Sequence, residues 1–360
     1  MGARQRLTMD QDARPSVSAM RIASPARRVC AWFIATVAIA LAAGNASAET
    51  NEVRAAQQFG LSYLALMIME DSRLIEKQAS AAGLGEIKVT WAKLGGPGAM
   101  NDALLSGSLD FATGGVPSLI TLWAKTHGTP NEVKGVGALN SMPVNLVTSN
   151  PNVKSIRDFT DQDKIAVTTV KVSTQALLLQ MAAAKEFGDQ NYARLDPLTV
   201  SLPHPDAMTA LLAGSGTITA HFSSPPFQYQ EVARPGIRSI LNNYDILGGP
   251  ATFNVVWSTT KFREANPKLY TAFVAAFDEA TATINRDKRA AAEVYKRMSG
   301  TKESVDELLK MMQDPLVEYT LTPKSIMKTA EFMAKVGTIK DRPASWKDLF
   351  FSNVHGLQGS

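Results

Sequence analysis

Three loops rich in glycine and hydroxyl side chains stand directly before predicted helices and are the strongest candidates for ligand binding. They cover residues 95–98, 113–117 and 172–174. The first turn of a helix leaves backbone N–H groups unpaired and carries partial positive charge, so such loops suit a carboxylate, sulfonate or phosphate group. Ordinary turn and N-cap chemistry would also explain each loop taken alone. The sequence therefore indicates an anion site and leaves a purely structural role open.

Side chains beside these loops would complete such a site. Lys171 precedes the third loop and offers a positive charge, although a solvated surface lysine is the commoner case. Residues 59–63 and 222–227 combine aromatic rings with hydroxyls, a mixture that covers an organic body and orients its polar end. Within the second segment, Phe222 is expected in the core.

The chain offers little for metal or redox chemistry. Its four histidines, at positions 127, 204, 221 and 355, lack the short spacing of metal ligands, and no metalloprotease, P-loop or nucleophile-elbow motif occurs. Its single cysteine, Cys30, lies in a leader that we expect to be removed, which would exclude disulfides, cysteine-bound metals and a cysteine nucleophile. We therefore predict no catalytic residue, no metal and no cofactor.

Residues 1–48 have the pattern of a secretory signal peptide. Arginines precede a 13-residue apolar stretch at 31–43, and residues 46–48 are small, as cleavage before Glu49 requires. A membrane anchor would need about 20 apolar residues. Export by the Sec route to the periplasm is therefore predicted, with the twin-arginine route less favoured.

The composition of the 360 residues, with 45% hydrophobic and 19% charged, is that of a globular chain of about two domains. Removing the leader's six arginines and two aspartates from 37 basic and 33 acidic residues leaves 31 of each. The net charge therefore gives no support for nucleic-acid binding.

After residue 48, strand-type apolar runs alternate with amphipathic helical runs, which is typical of α/β units on a mostly parallel sheet. Predicted strands cover residues 88–94, 110–113, 133–139, 164–169, 198–202, 218–223 and 238–241. Predicted helices cover residues 63–80, 98–106, 117–125, 173–187, 205–213 and 226–233. From residue 267 onward only helices are expected, at 267–285, 288–298, 302–313 and 323–336.

An internal repeat predicts two lobes of similar architecture. Residues 99–117 read as a short helix, a glycine cap, a strand, a small-residue loop and a proline-started helix, and residues 207–226 repeat this order. Chance similarity would explain two Ala/Leu-rich helices but not the shared order. Two α/β lobes enclose a cleft, and open α/β sheets bind ligands beyond the carboxyl ends of their strands. We expect the three loops to face that cleft.

With these features the chain resembles the periplasmic substrate-binding proteins of ABC importers in the nitrate/taurine/alkanesulfonate group. The resemblance rests on residues 96–117 (GPGAMNDALLSGSLDFATGGVP), 164–179 (KIAVTTVKVSTQALLL), 202–227 and the tail ending in WKDLF. It implies an α/β, two-lobed periplasmic-binding-protein fold of type II-like form with a helical C-terminal region. Residues 49–142 and 246–360 would form a discontinuous first lobe, residues 143–245 the second, with hinge crossovers at 140–143 and 244–252.

The family's ligand loops, carried over to matching positions and joined by Ser141 and Lys171, imply a ligand-binding set drawn from both lobes. The set is Ser62, Tyr63, Gly96, Pro97, Gly115, Val116, Ser141, Lys171, Ser173, Thr174, Ser223, Ser224 and Phe227. Many relatives read Trp-Glu-Pro-Phe where this chain reads Ser-Pro-Pro-Phe at 224–227, so contacts through an indole or carboxylate are not implied. A related branch makes the thiamine pyrimidine with a cysteine-rich motif, which the mature chain lacks.

The resemblance implies a monomeric exported protein that binds a small anionic organic ligand of the sulfonate, taurine, nitrate or carboxylate class. It would deliver this ligand to an ABC permease and its ATPase at the inner membrane, with no nucleic-acid partner. Two alternatives stay open. One is an enzyme of the same fold acting on a small heterocycle with His204 or His221 as its base; the other is a periplasmic receptor subunit that signals to a membrane sensor.

Overall fold

The computed structural model describes residues 48–360, and residues 49–360 form one compact unit. The predicted signal peptide, apart from Ala48, lies outside the described residues. Between residues 48 and 360, no helix has both the length and the apolar character needed to cross a membrane.

The described residues form ten strands. They are β1 Glu52–Gln57, β2 Lys88–Lys93, β3 Ala112–Gly115, β4 Val133–Ser141, β5 Asn145–Thr148, β6 Ile165–Val167, β7 Thr199–Ser201, β8 Ala220–Ser223, β9 Arg238–Asn242 and β10 Thr252–Thr259.

Thirteen α-helices occupy the same part of the chain. They are α1 Leu64–Asp71, α2 Leu74–Ala81, α3 Pro97–Leu105, α4 Val116–Thr126, α5 Thr174–Phe187, α6 His204–Ala213, α7 Phe227–Val232, α8 Asn243–Leu247, α9 Thr260–Ala265, α10 Pro267–Arg286, α11 Lys288–Ser299, α12 Val305–Met312 and α13 Ile326–Lys335. Short 3₁₀ turns add to these, one of which, Leu61–Tyr63, leads into α1.

The strands form two sheet regions. In the first, β1 pairs with β2, and three further strands form a neighbouring sheet in the order β3-β10-β4. A bridge between Ala55 of β1 and Phe111, just before β3, joins the two sheets. In the second, five strands lie in the order β7-β6-β8-β5-β9. We call these the first and second sheet regions; strands between residues 145 and 242 build the second, and the remaining strands build the first.

The expectation of a mostly parallel sheet is wrong in part. The pairs β1–β2, β6–β7 and β6–β8 are parallel, but β10 is antiparallel to β3 and β4, and β5 is antiparallel to β8 and β9. Neither β5 nor β10, the strands common to these antiparallel pairs, was among the predicted strands.

Two predicted helices are shorter than expected. The helix at 63–80 breaks at Ser72 and Arg73, where Arg73 takes a left-handed conformation with φ of 51° and α2 begins anew. The helix at 302–313 begins only at Val305, because Ser304 caps it and Glu307 completes a reciprocal capping box. The other predicted elements overlap the observed ones.

The internal repeat occurs in both sheet regions. In the first, Gly107 lies just beyond α3 and is followed by β3 and α4; in the second, Gly214 follows α6 directly and leads to β8 and α7. Both glycines have left-handed backbone conformations, with φ of 75° and 63°, as helix C-caps require.

The C-terminal helices cover the first sheet region. Phe273 of α10 stacks on Phe111 with ring centroids 3.6 Å apart, and both rings are fully buried. The tail then returns to β4, where Phe351 N donates to Gly135 O at 2.8 Å. In this region the carboxyl end of β3 at Gly115 lies beside the amino end of β10 at Asn254, because the two strands are antiparallel.

Candidate functional site

Helix N-termini and strand ends from both sheet regions meet at one small central cavity. Its lining residues are Gln58, Ser62, Tyr63, Pro97, Gly115, Thr168, Ser173, Thr174, Gln175, His204, Phe253 and Asn254. They bring the starts of α3, α4, α5 and α6 together. The cavity volume is about 10 Å³, enough for about one water molecule. We call this arrangement, in which the two sheet regions touch around the cavity, the closed form of the site.

Two glycines allow the sheet regions to touch. A Cβ on Gly115, the N-cap of α4, would lie 1.8 Å from Thr174 Oγ1 at the start of α5. A Cβ on Gly96 would lie 2.6 Å from Thr168 O. Both distances are far below van der Waals contact, so a hydrogen atom is the largest substituent that fits at either position in the closed form.

Polar contacts also cross between the regions at this place. Ser118 Oγ donates to Val172 O at 3.1 Å, and Gly98 N donates to Thr169 Oγ1 at 3.4 Å. Ser173 caps α5, its Oγ accepting from Ala176 N at 3.3 Å. The loop at 172–174 is thus held by both its own helix and the opposite region.

Buried polar atoms at the cavity lack hydrogen-bond partners within residues 48–360. Ser62 Oγ, Thr174 Oγ1 and Asn254 Nδ2 are such atoms on its lining. Ser223 Oγ and Ser224 Oγ, at the end of β8 and just after it, are also buried without a partner. Leaving a buried polar group unpaired costs about 1–3 kcal/mol. A small polar ligand group would provide partners for atoms from both sheet regions at once.

A chain of buried side chains leads from the second sheet region to the cavity. His221 Nδ1 lies 2.6 Å from Glu231 Oε1, and His221 Nε2 lies 2.8 Å from His204 Nδ1. His204 Nε2 lies 3.2 Å from Gln175 Nε2, and Thr168 Oγ1 donates to Gln175 Oε1 at 3.3 Å. With Glu231 ionised, every donor in this chain can point toward the carboxylate while both imidazoles are neutral.

Burial controls the protonation of two residues on the cavity lining. Burial, reinforced by the neighbouring His221 ring, holds the pKa of His204 well below the usual histidine range. Burial also raises the pKa of the Tyr63 phenol well above its usual range. Both side chains are therefore neutral near pH 7 in this closed form.

No lysine, arginine or carboxylate is among the residues that line the cavity. Positive potential there comes from the four helix N-termini. A larger groove of about 900 Å³ adjoins the cavity beyond Phe227 and Gly60, and its lining includes Lys93, Arg234 and Lys302 but no acidic residue. Cations at a cleft entrance raise the local concentration of anions.

The predicted ligand residues fall into three groups: those that line the cavity, those buried beside it, and two that lie elsewhere. Ser62, Tyr63, Pro97, Gly115, Ser173 and Thr174 line the cavity. Gly96, Val116, Ser223, Ser224 and Phe227 are buried beside it, with Phe227 stacked on His204 at a centroid distance of 5.6 Å. Phe222 is fully buried in the core, as expected.

Lys171 and Ser141 are the two predicted residues that the structure does not bring to the cavity. Lys171 has a left-handed backbone conformation with φ of 60° and an exposed side chain. Burial raises the pKa of the Asp196 carboxyl, and the Gln180 hydrogen bond and the Lys171 charge offset this only in part. Ser141 Oγ lies 2.7 Å from Tyr244 Oη, away from the cavity lining.

The sequence did not identify six residues of the lining as ligand candidates: Gln58, Thr168, Gln175, His204, Phe253 and Asn254. Gln58 and Thr168 follow strands directly, a position that the strand-end argument could have included. Asn254 is a polar residue inside the apolar run 251–257, and such an interruption in a buried strand was the available signal.

Two other kinds of chemistry, metal binding and base catalysis by a histidine, depend on which side chains lie together. Across residues 48–360, no cluster of three histidine, cysteine, aspartate or glutamate side chains is arranged to hold a metal ion. The enzyme alternative requires His204 or His221 as a base beside a nucleophile. In the described chain the ring nitrogens of these residues contact each other, Glu231 and Gln175, and no hydroxyl.

The family model described as NMT1-like matches residues 47–299, well over half of the chain. A comparison with functionally curated protein sequences gives no significant match.

Solved structures share the fold at low sequence identity. The alkanesulfonate-binding protein SsuA from Xanthomonas axonopodis pv. citri, bound to MOPS, is 18% identical with a TM-score of 0.64, covering 86% of this chain and 99% of its own. The periplasmic nitrate-binding protein NrtA from Synechocystis PCC 6803 is 16% identical with a TM-score of 0.62, covering 86% of each chain. A Candida albicans gene product with the generic periplasmic-binding-protein fold is 15% identical with a TM-score of 0.58, covering 81% of this chain and 92% of its own.

Proposed function

Since this chain belongs to the NMT1-like family and has the α/β periplasmic-binding-protein fold, we propose that it is the extracytoplasmic solute-binding protein of an ABC importer. It binds a small anionic organic molecule of the sulfonate, taurine, nitrate or carboxylate class and delivers it to a membrane permease. Among the solved structures that share the fold, SsuA is an alkanesulfonate-binding protein and NrtA a nitrate-binding protein, which supports this class of ligand.

The observation that carries the proposal is the convergence of unpartnered buried polar atoms and helix N-termini on one cavity. Ser62 Oγ and Asn254 Nδ2 come from the first sheet region, and Thr174 Oγ1 comes from the second. Because the present cavity holds about one water molecule, a ligand that pairs with both sets stabilises a form in which the lobes stand further apart than here but both sets still reach the ligand.

Opening and closing require two lobes and a hinge. We assign residues 49–142 and 246–360 to the first lobe and residues 143–245 to the second, in keeping with the strands of each sheet region. The crossovers at 140–143 and 244–252 form the hinge. There Tyr244 Oη lies 2.7 Å from Ser141 Oγ and donates to Leu316 O at 3.1 Å, and burial raises the pKa of Tyr244 to about 12. Rotation about this hinge admits a ligand to a cavity that in the closed form has space for about one water molecule.

The partners follow from this role. A permease receives the ligand, and an ATPase at the inner membrane drives its transfer. The predicted signal peptide supports a periplasmic location, and the protein acts as a monomer.

The test begins with native mass spectrometry of protein purified without refolding, followed by a thermal-shift screen. Nitrate, methanesulfonate and benzoate are compared with the neutral analogues dimethyl sulfone and benzamide. An anion present at 100 times its Kd is expected to stabilise the protein by about 2.7 kcal/mol. Stabilisation by the neutral analogues alone would contradict the anion class, and a ligand mass that changes during incubation would favour an enzyme.

Matched variants locate the binding site. Ser62→Ala and Thr174→Val each remove one hydroxyl that a bound anion would pair with, and each is expected to weaken binding by about tenfold or more. Ser80→Ala removes an exposed hydroxyl on α2 and is expected to leave binding unchanged. Unchanged affinity in both cavity variants would move the ligand away from this site.

A further inference from the structure

The closed cavity poses an electrostatic problem for the proposed anion. An enclosed anion loses its hydration, which is costly without a nearby opposite charge. No lysine or arginine lines the cavity, and Lys171 points to solvent. His204 is the one lining residue able to gain a positive charge by taking up a proton.

We propose that His204 supplies the counter-charge. Closure on an anion takes up about one proton onto His204 and passes a hydrogen-bond donor to the cavity through Gln175 and Thr168. This inference rests on the proposed function and specifies how the same site recognises negative charge. It makes His204, Gln175 and Thr168 specificity-determining residues.

The proton movement can be followed atom by atom. In the anion-free form, Thr168 donates to Gln175 Oε1, and Gln175 Nε2 donates to His204 Nε2. A proton from solvent bonds to His204 Nε2, which then needs an acceptor. The Gln175 carboxamide turns over, so that its Oε1 accepts from His204 and its Nε2 donates to Thr168 Oγ1. The Thr168 hydroxyl proton is then free to point into the cavity and donate to the anion.

The surroundings of His204 fit this role. On β8, His221 faces it, and beyond His221 the buried Glu231 of α7 compensates added positive charge. Phe227 stacks on the His204 ring with an interplanar angle of 19°, an arrangement that favours a cationic ring.

The remaining residues around His204 add no second titratable group in contact with its ring. Gln175 of α5 does not titrate, and Asp206 on α6 itself is exposed. Tyr63, across the cavity, is kept neutral by burial, which raises its pKa. His204 is thus the lining residue that can respond to an anion by gaining charge.

The test measures methanesulfonate and nitrate binding by titration calorimetry between about pH 5 and 8, where neither anion changes its charge. Affinity is expected to rise as pH falls through this range, by up to about tenfold per pH unit. Buffers with different ionisation enthalpies give the number of protons taken up, which is expected to approach about one per anion.

Three variants test whether the pH dependence of anion affinity arises from the hydrogen-bonded series His204, Gln175 and Thr168. His204→Gln is expected to bind both anions weakly and without pH dependence. Thr168→Val is expected to lose most of the gain in affinity at acid pH, because the terminal donor is gone. His127→Gln removes an exposed histidine and is expected to keep the wild-type pH profile.

Each outcome decides between the two proposals. Anion binding that is independent of pH, or a His204→Gln variant that keeps the wild-type pH profile, would overturn this inference and leave the proposed function standing. Failure of every tested anion to bind at any pH would overturn the proposed anion-binding function and this inference with it. If His204→Gln does not fold, ¹⁵N NMR of the wild-type imidazoles decides, since methanesulfonate binding should bring a proton from solvent onto His204 Nε2.

Discussion

At the scale of single residues, the burial of His204 has a consequence for stability in the absence of ligand. Its pKa is held well below 6.5 in the folded protein, whereas an unfolded chain has a histidine pKa near 6.5. Below that pH the unfolded state binds a proton that the folded state does not. The free energy of unfolding should therefore fall as pH decreases from about 6.5, by up to about 1.4 kcal/mol per unit.

Urea denaturation across this pH range measures the effect. His204→Gln should flatten the dependence, because glutamine does not titrate. Met208→Leu, one turn later on α6, retains both histidines and should keep the wild-type slope. A His204→Gln variant with the full wild-type slope would show that another group titrates instead.

Single residues also show how far the sequence specifies the site. Ser173 could be placed correctly because a serine before an apolar helical run predicts both an N-cap and a strand-end position. Lys171 could not, because its direction depends on a left-handed backbone conformation that lysine rarely adopts. His204 and His221 lie 17 positions apart, and only the packing of α6 on β8 makes them hydrogen-bonded neighbours.

At the scale of elements, the contact between β4 and the C-terminal tail depends on a missing side chain. A Cβ on Gly135 would lie 2.4 Å from Phe350 Cδ1, and Phe350 is buried. A Cβ on Gly137, two residues along the same strand, would lie 3.3 Å from Phe277 Cε1. Gly135→Ala should therefore lower the free energy of unfolding by about 1–3 kcal/mol, and Gly137→Ala by less.

Urea denaturation of the two alanine variants makes this comparison on one strand. The double variant Gly135→Ala/Phe350→Leu should recover part of the loss, because the smaller side chain makes room for the added methyl group. Equal effects of the two single substitutions would mean that the tail does not pack on β4 in this way.

Elements differ in how clearly the sequence marks them. The repeated helix–strand–helix units were predictable because a glycine cap and a proline-started helix bound each strand. The strand β5 has only four residues, and β10 passes directly into α9 without a turn at its carboxyl end. The break at Arg73 was equally unmarked, since neither proline nor glycine stands there.

At the scale of the whole molecule, the closed form depends on Gly115. An alanine there would place its Cβ 1.8 Å from Thr174 Oγ1, and that overlap is absent when the lobes separate. Gly115→Ala should therefore destabilise the closed form by about 1–3 kcal/mol or more and leave the open form unaffected. Small-angle X-ray scattering should report a larger radius of gyration for this variant than for the wild type under conditions that favour closure.

A second substitution tests whether this contact is the cause. In Gly115→Ala/Thr174→Ala the nearest approach becomes about 3.0 Å between two methyl groups, so the radius of gyration should return toward the wild-type value. Gly356→Ala, where an added Cβ meets nothing within 4 Å, should not change it. If Gly115→Ala scatters like the wild type, the starts of α4 and α5 do not separate as rigid parts of two lobes. Closure would then have to come from loop movement within a fixed frame, because a hinge rotation cannot leave this contact unchanged.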